Sequence, residues 1–92
     1  MVDRALRLKV GDKRPVNCSG NGTIASVWGT GTYTADSSIC TAAVHAGLID
    51  QTKGGDVTIE VVAGTATYEG STAHGVTTSS YGAYDPAFRF VS

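Results

Sequence analysis

Charge is scarce in this chain. Asp, Glu, Lys and Arg together make up only 16 % of the 92 residues, and the net charge is −1. What cation there is sits at one end: residues 1–14 carry Arg4, Arg7, Lys9, Lys13 and Arg14 against Asp3 and Asp12, a net +3. The remainder has only Lys53 and Arg89 against Asp36, Asp50, Asp56, Glu60, Glu69 and Asp85, a net −4. Such a body repels phosphate backbones, so no nucleic acid partner is expected. Long apolar runs are missing too. Nothing approaches the roughly 18–20 residues a membrane-crossing helix needs, so no membrane span is expected. The opening Met-Val-Asp-Arg-Ala-Leu-Arg lacks the apolar core of a signal peptide. On these grounds the chain is either cytosolic or trimmed from a longer secreted precursor.

The motifs of common chemistries are absent as well. Cys18, Cys40, His45 and His74 are suitable zinc ligands, but no two stand at the close spacing of a zinc site, so neither metal nor cofactor is expected. No G-x-S-x-G elbow presents a serine, which leaves Ser80 and His45 without a triad context. Gly29-x-Gly31 does not extend into a dinucleotide fingerprint. Asp36 and Asp85 are the one pair of carboxylates that could be nominated for glycoside hydrolysis. The chain therefore reads as a non-enzyme. Cys18 and Cys40 are the only cysteines. Bonded, they would stabilise the domain by about 3 kcal/mol; left reduced, they would be two buried thiols of a cytosolic protein.

What the sequence does have is a short helix with no polar face. Asp36, Ser37 and Ser38 offer capping oxygens, and Ile39, Cys40, Ala42, Ala43, Val44 and Ala46 follow with only Thr41 and His45 interrupting. Gly47 stands where a left-handed C-terminal cap belongs. The helix is expected at about 37–46, and one that is apolar on nearly all sides must be wrapped by the rest of the domain. Strands are expected at 6–10, with a turn at Gly11-Asp12, and at 23–28. Further strands are expected at 57–62, 76–79 and 87–91, with 65–69 folding back on 57–62 as a hairpin. The expected core is Leu8, Ile24, Val27, Ile39, Ala43, Val44, Ile49, Val57, Ile59, Val61 and Phe88. The fold class is α+β: a short central buried helix wrapped by two antiparallel β-sheets. Within it His45 is expected to bond its ring nitrogens to its surroundings.

The second half is polar and aromatic. Tyr68, His74, Tyr81 and Tyr84 lie among Gly, Ser and Thr, with Trp28 on the other side of the helix. Aromatic faces with hydroxyl neighbours suit sugar rings, although Trp28, Tyr33 and Tyr81 could instead complete the core. Tyr84 and His74 are the candidates expected to be most exposed.

Three blocks carry a resemblance. Val27-Trp28-Gly29, then Tyr33 with Ser37-Ser38-Ile39-Cys40-x-Ala42-Ala43-x-His45-x-Gly47, then Tyr68, Gly75-Val76, Ser79-Ser80-Tyr81 and Phe88 closely resemble the LCCL domain. That family takes its name from clotting factor C, cochlin and a late gestation lung protein. The similarity spans about 15–91 of a single 1–92 domain, leaving 1–14 as a basic N-terminal strand or arm. The resemblance implies a central helix wrapped by two sheets and a Cys18–Cys40 disulfide. It also implies an extracellular, non-enzymatic module whose partner is a glycan, a glycolipid such as lipopolysaccharide, or another protein. The absence of a further cysteine pair and the Tyr81-Gly82-Ala83-Tyr84 ending suggest a microbial branch of the family.

Overall fold

The computed structural model describes residues 9–20 and 24–91. Its centre is helix α1, Ile39–His45. Ser38 caps the helix, its hydroxyl accepting the Thr41 N–H at 3.3 Å. At the other end the Gly47 N–H reaches the Val44 carbonyl and the Leu48 N–H the Ala43 carbonyl, each at 3.0 Å. This is a Schellman motif, and it requires the left-handed backbone Gly47 supplies at φ 80°. Every helical residue except Cys40 is buried. A seven-residue helix does not hold itself together in water; burial on all sides does so here.

The larger sheet has five antiparallel strands in the order β1-β4-β7-β3-β2. They are β1 (Lys13–Ser19), β2 (Gly29–Thr30), β3 (Thr32–Thr34), β4 (Gly54–Val62) and β7 (Ala87–Val91). Alternation in β4 turns Val57, Ile59 and Val61 inward. Opposite them come Val16 from β1 and Phe88 and Phe90 from β7, while Tyr33 of β3 stands against Phe88. On the outer face Glu60 accepts from Arg89 Nη2 at 2.7 Å, at paired positions. The smaller sheet is the hairpin β5 (Thr72–Ala73) and β6 (Val76–Thr77). Around it, bridges join Tyr68 to Tyr81, Thr65 to Tyr84 and Trp28 to Ser79. The helix packs against β6 on one side and β1 on the other. A Cys18–Cys40 disulfide ties the helix to edge strand β1. The α+β architecture of a central helix between two antiparallel sheets is the one expected.

Several local expectations fail, each for a physical reason. Leu6, Leu8 and most of residues 1–14 lie outside the described residues, as do residues 21–23. Val10, expected in a strand, stands in a turn closed by Asp12 N–H to Lys9 O. The strand comes later, at Lys13–Ser19, where Lys13, Arg14 and Pro15 hide the signal. Such residues are tolerated because β1 is an edge strand. No strand forms at 24–27, because the backbone of Ala25 and Ser26 is taken by the helix start. Ala25 N–H bonds Thr41 Oγ1, and Ser26 O accepts from Ser38 N. Next to it, Trp28 N–H bonds Ser37 Oγ. Ile24 is accordingly 42 % exposed rather than core. Ile49 is only half-buried at the core's edge. The segment 65–69 turns away from β4 to pair with 81–84, because β4 is flanked on both sides by β1 and β7.

Candidate functional site

Of the five candidate side chains, Tyr68 is the most deeply placed, at 4 % exposure. Its hydroxyl donates to the Tyr84 carbonyl at 2.8 Å and accepts the Thr65 N–H at 3.2 Å. Backbone bonds in both directions pair it with Tyr81, whose side chain is 50 % exposed. Tyr81 meets Tyr84 edge to face, with ring centroids 5.9 Å apart. Tyr84 is half-buried against the core, contrary to expectation, whereas His74 is exposed as expected, and Tyr81 is the open ring of the tyrosine pair. Burial raises the Tyr84 phenol above its usual range, and the nearby Asp36 carboxylate, Tyr81 and Tyr68 add to the effect. Trp28 is half-buried and bridges Ser79, two residues before Tyr81.

His74 stands elsewhere. It occupies the first corner of the β5–β6 turn at φ 51°, followed by Gly75 at φ 79°, the pattern of a type I′ hairpin. Its ring lies over Gly47, and Nδ1 donates to the His45 carbonyl at 2.9 Å. A cleft of about 520 Å³ opens beside it, lined by Val44, Leu48, Ile49 and Asp50 among others. Asp36 precedes the helix and Gly47 follows it, so Tyr84 and His74 attend opposite ends of α1. The candidates therefore form a tyrosine cluster plus a distant His74.

His45 is 3 % exposed and bonded at both ring nitrogens: Nδ1 to the Tyr33 hydroxyl at 3.0 Å, Nε2 to Ser71 Oγ at 3.1 Å. Ser71 in turn meets Thr30 Oγ1 at 2.6 Å, and Thr30 donates to the Glu69 carbonyl at 2.9 Å. That carbonyl can only accept, which fixes every proton behind it. Thr30 gives its proton to Glu69 O, Ser71 gives its own to Thr30, and His45 Nε2–H gives to Ser71. Tyr33 O–H then gives to Nδ1. Burial pushes the Tyr33 phenol up, partly offset by a backbone bond from Gly31. The row Tyr33–His45–Ser71 has the outline of a nucleophile triad but the wrong polarity, because His45 donates to the serine instead of taking its proton. Ser80, the serine singled out in the sequence, instead accepts the Gly70 N–H. Ser71, 26 residues from His45, carried no local signal. Asp36 and Asp85 are likewise engaged, accepting from the Thr34 hydroxyl and the Gly64 N–H.

With this geometry in place, comparison with known proteins is decisive for the family. Residues 2–88 match the LCCL domain. This chain belongs to the LCCL family. The LCCL match begins well before residue 15 and takes in most of the basic N-terminal stretch. The human cysteine-rich secretory protein LCCL domain-containing 2 is 44 % identical over 69 residues, covering 74 % of this chain but 14 % of that protein. Mouse vitrin is 46 % identical over 50 residues, covering 54 % of this chain and 8 % of vitrin, and human vitrin gives the same identity over the same length. The chain thus spans about a seventh or less of the relatives it matches. These relatives are mammalian, with bovine vitrin among them, which overturns the microbial branch suggested by the cysteine count and the Tyr81–Tyr84 ending. LCCL domains are non-catalytic modules, and this one is a binding or structural module. No helix among the described residues is long and apolar enough to cross a membrane.

Proposed function

We propose that this LCCL domain is an extracytoplasmic module that binds carbohydrate, including the sugar part of a microbial cell-surface glycolipid such as lipopolysaccharide. The observation that carries the reading is the Tyr81–Tyr84 pair: an open ring held edge to face by a second, whose backbone carbonyl accepts from the hydroxyl of the buried Tyr68. Sugar rings stack their C–H faces on such a surface and need polar groups beside it, and the Tyr81 and Tyr84 hydroxyls are such groups. In this reading Tyr81 and Tyr84 make contact, Tyr68 supports them and Trp28 flanks them. His74 belongs to the helix end and not to the ligand. The −4 charge of residues 15–92 weighs against phosphates and towards the sugar part of a glycolipid. An extracytoplasmic setting is supported by the disulfide and by the secretory protein among the relatives.

A glycan and lipopolysaccharide array on the oxidised domain tests this. A glycan signal that falls at least tenfold in Tyr81→Ala, with melting unchanged, is the expected result. A flat array would instead favour a protein-interaction or structural module within a larger protein. That second reading has its own support in Leu48, 54 % exposed beside the helix-end cleft.

A further inference from the structure

We propose that Asn17 carries an N-linked glycan, set on the outer face of the large sheet beside its free edge. This rests on the extracytoplasmic half of the reading above and is independent of what the tyrosine face binds.

Asn17-Cys18-Ser19 has the Asn-x-Ser form that accepts such a glycan. Triplets of this kind arise often by chance; the placement of this one in the fold is what favours it. Strand β1 pairs on one side only, with β4. Within it Val16 and Cys18 are buried while Asn17 and Ser19 are exposed, so alternation turns the Asn17 carboxamide away from the helix and onto the outer face. Asp56 stands opposite in register, also exposed, and its Oδ1 accepts from Asn17 Nδ2 at 2.6 Å. A carboxamide nitrogen has two hydrogens and the linkage replaces one, which leaves the other able to bond Asp56. An open cleft of about 690 Å³ adjoins the pair, lined by Pro15, Asn17, Asp56, Thr58 and Leu48 among others, and gives the first sugar room. A glycan there stands over the side of β1 that no strand of the described residues pairs, where it blocks the addition of a foreign strand.

The transfer is a substitution. The Asn17 nitrogen attacks the anomeric carbon of an oligosaccharide held on a lipid pyrophosphate. The C–N bond forms, the C–O bond to pyrophosphate breaks, and the amide gives up one proton to a base of the transferase. Cys18 lies inside the triplet, but its partner Cys40 is 22 residues further along, so in a growing chain Asn17 is presented before the disulfide can close beside it.

The test secretes the full chain from mammalian cells behind a cleavable leader. It is done in an Asn21→Gln background, because Asn21-Gly22-Thr23 is a second triplet, outside the described residues. The expected result is a mass gain that peptide N-glycosidase removes, leaving aspartate at position 17, and that is lost in Asn17→Gln. Should Asn17→Gln fail to fold, Ser19→Ala serves in its place, since it destroys the triplet without touching Asn17 or Asp56. The glycan-bearing and enzymatically stripped domains should both melt cooperatively with the Cys18–Cys40 bond intact. Asn17 unmodified in secreted and retained material alike would overturn the proposal, and if that protein is secreted and oxidised the extracytoplasmic reading stands. A chain that never leaves the cell or never forms the disulfide would overturn that reading, with position 17 then scored on the retained chain. Glycan-bearing protein without cooperative melting would overturn the placement of the site on the outer face.

Discussion

His45 shows how one side chain joins three parts of the molecule. It leaves the last turn of α1, takes a proton from Tyr33 in the large sheet and gives one to Ser71 beside the small sheet. The Tyr33 ring meets the imidazole edge-on at 5.8 Å and also packs against Phe88. His45→Ala would leave the Tyr33 hydroxyl buried without its acceptor and open a void. A loss of about 1–3 kcal/mol follows, read from denaturant melts. The inferred proton order makes a second readout available. Long-range nitrogen-proton spectra of the wild-type ring should show the Nε2–H tautomer, and an Nδ1–H form would contradict the chain ending at Glu69. From the sequence, burial of His45 and satisfaction of both its nitrogens were legible, since it sits in an apolar helix. The identity of the partners was not: Tyr33 and Ser71 are brought to it by tertiary packing.

At the scale of elements, the helix was legible because its signals are local. Ser38 at one end and Gly47 at the other fix its limits within a few residues of chain. The unformed strand at 24–27 fails for the opposite reason. Two of its backbone groups bond the helix start, Ala25 N–H the Thr41 hydroxyl and Ser26 O the Ser38 N–H, so an alternating pattern there does not report a pairing strand. The small sheet closes the arrangement. Its type I′ turn brings the His74 ring onto Gly47, where a β-carbon would lie 2.7 Å from a ring atom. Gly47→Ala would therefore meet two penalties at once, a left-handed backbone at φ 80° and a collision with the imidazole. The expected cost is about 1–2 kcal/mol from the backbone alone. It should appear as a lower melting point together with shifts at His74, and a silent substitution would show that the hairpin does not seat on the helix end.

Across the whole molecule, the fold followed from the sequence far better than the site did. A helix that must be enclosed, followed by strongly alternating strands, leaves few arrangements open. A tyrosine cluster does not announce which ring stays outside. Tyr68 is buried because its hydroxyl finds the Tyr84 carbonyl, and Asp36 reaches Tyr84 from 48 residues away through the β3–β7 contact. The Cys18–Cys40 bond acts at this scale too, holding the outermost strand to the central helix. Its reduction should lower stability by roughly 2–4 kcal/mol, measured as a shift of the denaturation midpoint with and without reductant. An unchanged midpoint would mean that packing alone keeps β1 in place.

The same bond sets how the domain would answer a mechanical load. Tension applied at the two ends travels from the edge strand straight into the helix and bypasses everything between. The 22-residue separation inside the disulfide is thereby kept from extending. An oxidised molecule stretched to its limit stops short of a reduced one by about 74 Å, at roughly 3.6 Å per residue less the 5.6 Å the bonded cysteines still span. Segment 24–28 and the short strands β2 and β3 lie within that shielded stretch. They stay slack under force until the sulfur link is cut, so a module strung within a longer chain under tension would carry its load around them.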